Sequence, residues 1–217
     1  MIRLRIAFSK TSAMRYTSHL DLFKTWERTF RRAALPLAYN QGFNPRPRMQ
    51  LACALPLGFT SECELLDAWL NAEALLDETI RADIEQAIPP GLKIHTLTQV
   101  DLQAPALQTQ VCSARYLVTL LEPAEDLDSR VADLLAAQHL PRQRRGKAYD
   151  LRPLIEYLHV LPLDEAGNPV LEMQLAALES RTGRPDEVLE ALGLPPLAAR
   201  VHRSQLLLNP ELRAFTK

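Results

Sequence analysis

The chain begins with an alternation of apolar and polar residues that predicts a β-strand. Ile2, Leu4, Ile6 and Phe8 occupy every second position of residues 1–10, with arginines between the first of them. A period of two places successive side chains on opposite faces of a sheet. The alternation is unlike the continuous apolar run of a signal peptide. We therefore expect a first strand with one buried face, in a cytoplasmic protein.

A helical period replaces the alternation over residues 18–34. Apolar side chains such as Phe23 and Phe30 recur near every 3.6 residues, which predicts one buried helix face. Ser18 stands where an N-cap is expected, and Asp21 follows it by three residues, where a carboxylate stabilises the positive end of a helix. The sequence therefore predicts an amphipathic helix that begins at Ser18.

The same reasoning predicts the remaining elements. In the first half we expect strands at 35–39, 50–57, 62–70 and 92–101, and a helix at 73–88. In the second half we expect strands at 115–122, 142–149, 155–162, 169–178 and 198–208, and helices at 124–138 and 185–192. Residues 150–158 fit either a strand or one helical turn capped by Asp150.

This order of elements predicts an α+β fold. Each half has strands and helices in the order of a split βαβ unit, which is the ferredoxin-like arrangement. We therefore expect two tandem ferredoxin-like domains, residues 1–103 and 113–217. Residues 104–112 contain Pro105 and several glutamines, which indicates a linker.

The composition excludes several classes of protein. The chain has 217 residues, of which 47% are hydrophobic and 24% charged, as in ordinary globular proteins. Three cysteines and five histidines occur in no metal-ligand spacing, so no metal is expected. Glycine-rich nucleotide loops, serine-hydrolase elbows and radical-SAM cysteine motifs are missing from the sequence. We therefore expect no cofactor and find no catalytic motif, although an enzymatic role stays open.

Charge is distributed unevenly along the chain, although the net charge is only −1. Residues 1–50 contain ten Lys or Arg against two acidic residues, and the remainder contains fifteen against twenty-four. A second basic patch interrupts the acidic remainder and comprises Arg142, Arg144, Arg145, Lys147 and Arg152. Basic clusters on an acidic body indicate a surface for a polyanion, above all RNA. A charged strand or loop edge is the alternative for the second patch.

Residues 39–48 combine aromatic, basic and conformationally restricted residues. Prolines at 45 and 47 restrict the residues before them to extended geometry, so this loop is preorganised. Aromatic rings stack on bases and arginines bind phosphate bidentately. The candidate binding residues here are Tyr39, Gln41, Gly42, Phe43, Asn44, Arg46 and Arg48. The alternative is a purely structural loop in which Phe43 fills the core.

Further candidate binding residues precede and follow this loop. Arg15, Lys24, Arg28 and Arg31 continue the basic surface. Lys24, Arg28 and Arg31 or Arg32 form a stripe on the predicted helix. His19 either binds phosphate, acts as a general acid or base, or makes a structural hydrogen bond. Asp67 alternates with apolar residues, so it either pairs with an arginine or belongs to the site.

Several segments resemble the bacterial DUF2344 family, radical-SAM-associated proteins of uncharacterised function. The segments are residues 8–10, 15–22, 39–47, 54–58, 64–67, 145–147 and 150–155. The resemblance implies an accessory to a radical-SAM enzyme that is encoded beside it or fused to it, often near genes for ribonucleases and ribosomal proteins. It therefore favours a substrate-presenting role in RNA or ribosome modification.

Two other functions remain open at this stage. Tandem ferredoxin-like domains also occur in RNA-processing enzymes, and a metal-independent nuclease would use His19 with a basic neighbour such as Lys24. A docking module that binds only protein is the other alternative, and it predicts no salt-dependent affinity for RNA. The expected function is a non-catalytic RNA-binding accessory protein.

Overall fold

The computed structural model describes residues 1–71, 78–144, 146–178 and 181–209. These residues form a mixed α+β protein with two compact units. The first unit comprises Met1–Val111 together with Leu208 and Asn209, and the second comprises Cys112–Leu207. Within the described residues, no helix is long and apolar enough to cross a membrane.

The first unit contains an antiparallel sheet and its helices. Its elements are β1 (Ile2–Lys10), α1 (His19–Arg32), β2 (Met49–Leu51), β3 (Thr60–Leu70), α2 (Glu78–Ala87), β4 (Leu92–Val100) and the short α3 (Leu107–Gln110). The strand β1 pairs with β3 on one side and β4 on the other, and β2 pairs with β3. The order across the sheet is therefore β4-β1-β3-β2.

The periodic parts of the first unit were predicted well, and the proline-containing segments were not. Instead of a strand, residues 35–39 make only the isolated bridges of Leu37 with Leu70 and Tyr39 with Pro47. Pro36 has no N–H group to continue a ladder. Of the strand expected at 50–57, only its beginning is paired, in β2. Helix α2 begins at Glu78, and residues 73–77 of the expected helix lie outside the described residues.

The core of the first unit lies between α1 and one face of β1. Leu4, Ile6 and Phe8 are completely buried, as the alternation predicts. On α1, Trp26 is buried with its ring 4.9 Å from Phe8 in an edge-to-face arrangement, and 5.5 Å from Phe30. The cap is also confirmed, because the Ser18 hydroxyl accepts a hydrogen bond from the Asp21 N–H at 3.2 Å.

The opposite face of β1 contains the buried arginine cluster, which we define as Arg3, Arg5 and Asp67. The carboxylate of Asp67 accepts from Nε of Arg3 at 2.9 Å and from Nε of Arg5 at 2.7 Å. All three side chains are at most 5% exposed. Burial of three charges is tolerated because the pairs are close and further hydrogen bonds complete them.

The segment expected to be a linker packs against the buried arginine cluster. Arg3 donates to the carbonyl oxygens of Ala104 at 2.5 Å and Pro105 at 2.8 Å, and Arg5 donates to Oε1 of Gln110 at 3.2 Å. Ala104, Leu107 and Gln110 are buried. Residues 104–110 are therefore an ordered part of the first unit, held by side chains far away in the sequence.

The second unit also pairs strands around an N-terminal strand. Its elements are β5 (Val111–Leu120), α4 (Leu127–Ala136), β6 (Pro141–Arg144), β7 (Lys147–Asp150), β8 (Ile155–Leu161), β9 (Val170–Leu178), β10 (Arg181–Thr182), α5 (Pro185–Ala191) and β11 (Ala199–Leu208). The strand β5 lies between β11 and β9, and β8 and β10 pair with β9. The order of the long strands is therefore β11-β5-β9-β8.

One expected strand of the second unit is a separate hairpin. Among the described residues of 142–149, β6 and β7 pair with each other and with no other strand, and Arg145 lies outside the described residues. Residues 150–158, for which the sequence left a strand and a helical turn open, contain first a turn and then a strand. A single 3-10 turn at Arg152–Leu154 precedes the strand β8.

We predict that Asp67→Asn strongly destabilises the protein. The substitution keeps the shape of the side chain but leaves the charges of Arg3 and Arg5 buried without a carboxylate. The expected loss is about 3–5 kcal/mol in the free energy of unfolding, measured by urea denaturation. The control is Glu85→Gln, which breaks the exposed pair with Arg81 and should cost at most about 1 kcal/mol. Equal effects of the two variants would contradict the prediction.

We also predict that Gly91→Ala destabilises the protein. Gly91 has φ +99°, and an added Cβ would lie 2.5 Å from Cγ of Met14 and 3.0 Å from its backbone nitrogen. The expected cost is roughly 1–2 kcal/mol, since L-residues rarely adopt this backbone conformation. Gly42→Ala is the matched control, because open space surrounds that position and its φ is not positive. Urea denaturation of both variants should separate them clearly, and similar midpoints would refute this interpretation.

Candidate functional site

The connection between β1 and α1 is held by the buried ammonium group of Lys10. Its Nζ donates hydrogen bonds of 3.0–3.3 Å to the carbonyl oxygens of Arg15, Thr17 and Phe59. The predicted site residues Arg15 and His19 are half-buried on this connection and at the first residue of α1. Among the described atoms, Nε of Arg15 is buried without a hydrogen-bond partner.

The basic face of α1 lines a cleft of about 490 Å³, which we call the arginine cleft. Its described lining residues are Met14, Thr25, Arg28, Arg31, Arg32 and Pro89. The arginines are three and four residues apart, so their side chains lie on one face of the helix. Met14 and Pro89 supply apolar contact from outside α1. The cleft therefore offers several guanidinium groups beside an apolar wall.

The charges of this helix face are only partly balanced. Arg31 pairs with Glu27 at 2.7 Å, and the exposed Lys24 lies 4.0 Å from Asp21. Within the described part of the chain, Arg28 and Arg32 make no ion pair and no side-chain hydrogen bond. Exposed arginines without a carboxylate partner keep their full positive potential for an external anion.

The loop predicted at residues 39–48 is exposed and closed at its base. Tyr39 bridges to Pro47, and Asn40 accepts a hydrogen bond from the Arg46 N–H at 2.7 Å through its side chain. The Asn40 N–H donates in return to the Arg46 carbonyl at 2.9 Å. Gln41, Gly42, Asn44 and Phe43 between them are exposed, and Phe43 is 102% exposed. Phe43 therefore does not fill the core.

Arg48 lies on a different side of the sheet from the arginine cleft. Its guanidinium is 5.0 Å from the ring centroid of Trp69, and Arg3 lies 4.8 Å from the same ring. Trp69 pairs in register with Arg3, whose side chain points away from α1. The predicted basic surface of the first unit is thus divided between two faces.

Asp67 does not lie on this surface. The sequence left open a pairing with one arginine or a place in the binding site. The carboxylate is completely buried and both of its oxygens accept hydrogen bonds from Arg3 and Arg5. Asp67 therefore stabilises the sheet on which the exposed residues are mounted, and contacts no solvent.

The second basic patch is divided in the same way, because two of its arginines point inward. Arg144 donates to the carboxylate of Glu187 and to the carbonyl of Thr182 at 3.0 Å, and Arg152 donates to the carbonyls of Leu135 and Ile155. The sequence predicted a surface cluster, but the partners Glu187, Thr182 and Leu135 lie 17 to 43 positions away and could not be inferred from it. Arg142 is half-buried, Lys147 is exposed, and Arg145 lies outside the described residues.

Comparison with known proteins identifies the family. A family model described as an uncharacterised protein conserved in bacteria, DUF2344, matches residues 3–185. The chain belongs to the DUF2344 family. No curated protein matches it.

Two solved structures show a remote similarity to this DUF2344 protein. An unknown protein from Galdieria sulphuraria is 13% identical, with 96% of this chain and 98% of that chain covered and a TM-score of 0.28. The small subunit of acetolactate synthase from Thermotoga maritima is 9% identical, with 96% of each chain covered and a TM-score of 0.27. Both TM-scores are too low to relate the folds.

Sequence reasoning missed parts of both sites of the DUF2344 protein. In the arginine cleft it missed Met14 and Pro89, which come from other elements, and it gave Arg32 only as an alternative to Arg31. Helical spacing alone could have placed Arg32 on the same helix face as Arg28, since it lies four residues after it. In the second unit it missed Arg181, which lies beside the β6–β7 hairpin in a second pocket.

Tyr149 on that hairpin has an unusual environment. Burial raises its pKa to about 12, and a hydrogen bond with Glu187 acts in the same direction. Burial opposes ionisation of Glu187, but hydrogen bonds from Arg144 and Tyr149 outweigh it and lower the pKa of Glu187. Arg144, Tyr149 and Glu187 are therefore one hydrogen-bonded group that joins the hairpin to α5.

We predict that Tyr149 loses its proton about two pH units above an ordinary tyrosine, which has a pKa of about 10. Because the fold favours the neutral hydroxyl, its contribution to stability is complete below pH 10 and is lost as the pH rises towards 12. Tyrosinate absorbance should show a late component to which Tyr149 and Tyr157 both contribute, because burial raises the pKa of both, and Tyr149→Phe should remove one tyrosine from it. Tyr16→Phe is the control, because that ring is exposed. Loss of the late component in the control variant alone would contradict the assignment.

Proposed function

We propose that this DUF2344 protein binds single-stranded RNA through its first unit. The observation that carries the proposal is the arginine cleft, in which Arg28 and Arg32 have no acidic partner among the described residues. Arginine fits phosphate in a bidentate geometry, and each phosphate contact releases counterions from the nucleic acid. An unbalanced pair of arginines on one helix turn therefore favours a phosphate backbone as the ligand.

The exposed loop supports RNA rather than a simple anion. Phe43 projects its whole ring into solvent, and Arg46 beside it is exposed. An exposed aromatic ring on a closed loop is unfavourably hydrated and contributes nothing to core packing. It does offer a face on which a base can stack. Because the loop and the cleft lie on different elements, we propose that an RNA strand is held at two points.

The accessory role follows from the family resemblance. We propose that the DUF2344 protein presents its RNA to a radical-SAM enzyme in RNA or ribosome modification, as a cytoplasmic and non-catalytic subunit. The test uses the radical-SAM enzyme that the family resemblance implies is encoded beside this protein or fused to it. Purified together, the two proteins should elute as a complex from size-exclusion chromatography, and separate elution in the presence and absence of RNA would contradict the accessory role.

We also propose that each unit is a ferredoxin-like domain. The order β4-β1-β3-β2 in the first unit supports this, with α1 and α2 in the two connections. The order β11-β5-β9-β8 in the second unit supports it equally, with β6 and β7 as an insertion. An experimental structure that shows a different strand order in either unit would refute it.

A protein-docking role is the second candidate. Tyr16, Leu20 and Leu57 are large apolar residues with at least 60% of their surface exposed. The Gly58 N–H donates to the Arg15 carbonyl at 3.0 Å, which brings the segments of Tyr16 and Leu57 together. Such a patch is typical of protein contacts. A docking module would bind its partner without any salt-dependent affinity for RNA.

We predict that Arg28→Ala with Arg32→Ala weakens RNA binding at least about tenfold and lowers its salt dependence. Loss of each phosphate contact should reduce the slope of log affinity against log salt by about 0.7 for a single strand. The measurement is fluorescence anisotropy of a mixed-sequence single-stranded RNA at several salt concentrations. Phe43→Ala should weaken binding by about 1–3 kcal/mol without changing that slope.

Matched controls separate the cleft from net charge and from exposed apolar surface. Lys93→Ala with Arg200→Ala removes the same charge at exposed positions outside the cleft. Leu197→Ala removes another fully exposed apolar side chain. Both controls should bind RNA as the wild type does. An equal loss of RNA affinity in the controls, or no saturable RNA binding by the wild type, would refute the RNA proposal and favour the protein-docking role.

A further inference from the structure

The second unit contains a pocket of about 470 Å³ beside the β6–β7 hairpin, which we call the hairpin pocket. A volume of this size is typical of sites for small molecules. Its described lining residues are Arg144, Lys147, Ala148, Tyr149, Asp150, Pro153, Leu154, Arg181 and Thr182. The pocket therefore combines aromatic and aliphatic surface with several cationic groups.

One wall of the hairpin pocket is held in place by hydrogen bonds. Arg144 donates to Glu187, to the Thr182 carbonyl and to the Tyr149 hydroxyl, and its guanidinium lies 5.0 Å from the Tyr149 ring centroid. These contacts join the β6–β7 hairpin, through Arg144 and Tyr149, to β10 and α5. A wall that is ordered without ligand loses little entropy on binding.

The hairpin pocket has one more cation than carboxylates, because Arg144, Lys147 and Arg181 are opposed by Asp150 and by Glu187, the partner of Arg144. Arg144 is neutralised by Glu187. The carboxylate of Asp150 accepts from the backbone N–H groups of Leu140 and Arg152 and from Nδ1 of His139, at 2.8–3.0 Å.

Lys147 and Arg181 are exposed, and within the described ranges neither makes an ion pair or a side-chain hydrogen bond. Two such groups at one pocket match a dianion better than a monoanion, because each additional charge adds a Coulomb attraction. The guanidinium of Arg181 suits two phosphate oxygens at once.

We propose that the hairpin pocket binds a small phosphate monoester with an aromatic ring, the chemistry of a nucleoside monophosphate. Lys147 and Arg181 bind the phosphate dianion, and the ring packs on Pro153, Leu154 and Ala148. The inference goes beyond RNA binding by the first unit and does not rest on it, since the two sites share no residue.

The test uses phenyl phosphate and the full chain, with binding measured by isothermal titration calorimetry. Saturable binding is expected, with weaker binding of phenol, inorganic phosphate and the monoanion benzoate, each of which lacks part of the recognised chemistry. Adenosine monophosphate should compete with phenyl phosphate. No saturable binding at millimolar phenyl phosphate, or equal binding of inorganic phosphate, would overturn the proposal.

Three variants locate the binding. Lys147→Gln with Arg181→Gln should weaken phenyl phosphate binding at least tenfold, whereas Arg142→Gln should leave it unchanged. Arg142 belongs to the same hairpin but does not line the pocket. Ala148→Trp should abolish binding without changing charge, because its exposed side chain would fill the pocket. Unfolding temperatures near that of the wild type establish that the variants are folded, and undiminished binding by the first and third would refute the site.

Two further outcomes separate the hairpin pocket from the RNA surface. A single-stranded RNA without terminal phosphate should not displace phenyl phosphate, and displacement by it would assign the pocket to a polyanion surface instead. The variant Arg28→Ala with Arg32→Ala should retain phenyl phosphate binding. If that variant loses RNA but keeps phenyl phosphate, the two sites are independent, and parallel loss of both ligands would contradict the inference.

Discussion

A single carboxylate, that of Asp67, pairs with two buried guanidinium groups, and the sheet of the first unit depends on this pairing. Without it, the polar face of β1 would contain the uncompensated charges of Arg3 and Arg5. Arg3 uses its remaining N–H groups to bind the carbonyls of Ala104 and Pro105, and Arg5 donates to Oε1 of Gln110, so the same cluster holds residues 104–110. The strand β1 is thus stabilised by hydrophobic packing on one face and by a saturated ionic network on the other.

Burial changes the meaning of the charge asymmetry in the sequence. Three of the ten basic residues among the first fifty, Arg3, Arg5 and Lys10, are buried. They act as donors that fix strands and loops, and the surface charge that remains comes from the basic residues of α1, those of the 39–48 loop and the half-buried Arg15. In the second unit Arg144 and Arg152 act in the same way. Five basic residues, Arg3, Arg5, Lys10, Arg144 and Arg152, therefore serve as hydrogen-bond donors to other parts of the protein.

How well the sequence predicted a feature depended on the range of the interactions that determine it. The strand β1 and the helix α1 have local signals, an alternation of two and a Ser18 cap, and both were predicted closely. The order of residues 104–110 depends on Arg3 and Gln110, and the inward direction of Arg144 depends on Glu187, which lies 43 positions away. The sequence left two alternatives for the Phe43 loop, an exposed loop and a structural loop with Phe43 in the core. The prolines favoured the exposed loop because they restrict the local backbone. The hairpin pocket joins residues from four segments and has no local signature.

The closure of the 39–48 loop has a consequence for how this protein can diversify. Asn40 and Arg46 bond to each other twice, so the ends of the loop are joined before any contact with the sheet is counted. The residues between them pack on nothing, and they are free to vary in identity without a cost to the core. The residues between Asn40 and Arg46 are therefore replaceable, whereas the hydrogen bonds that join these two residues are fixed. Residues at its tip can be exchanged while the buried network beneath them stays the same.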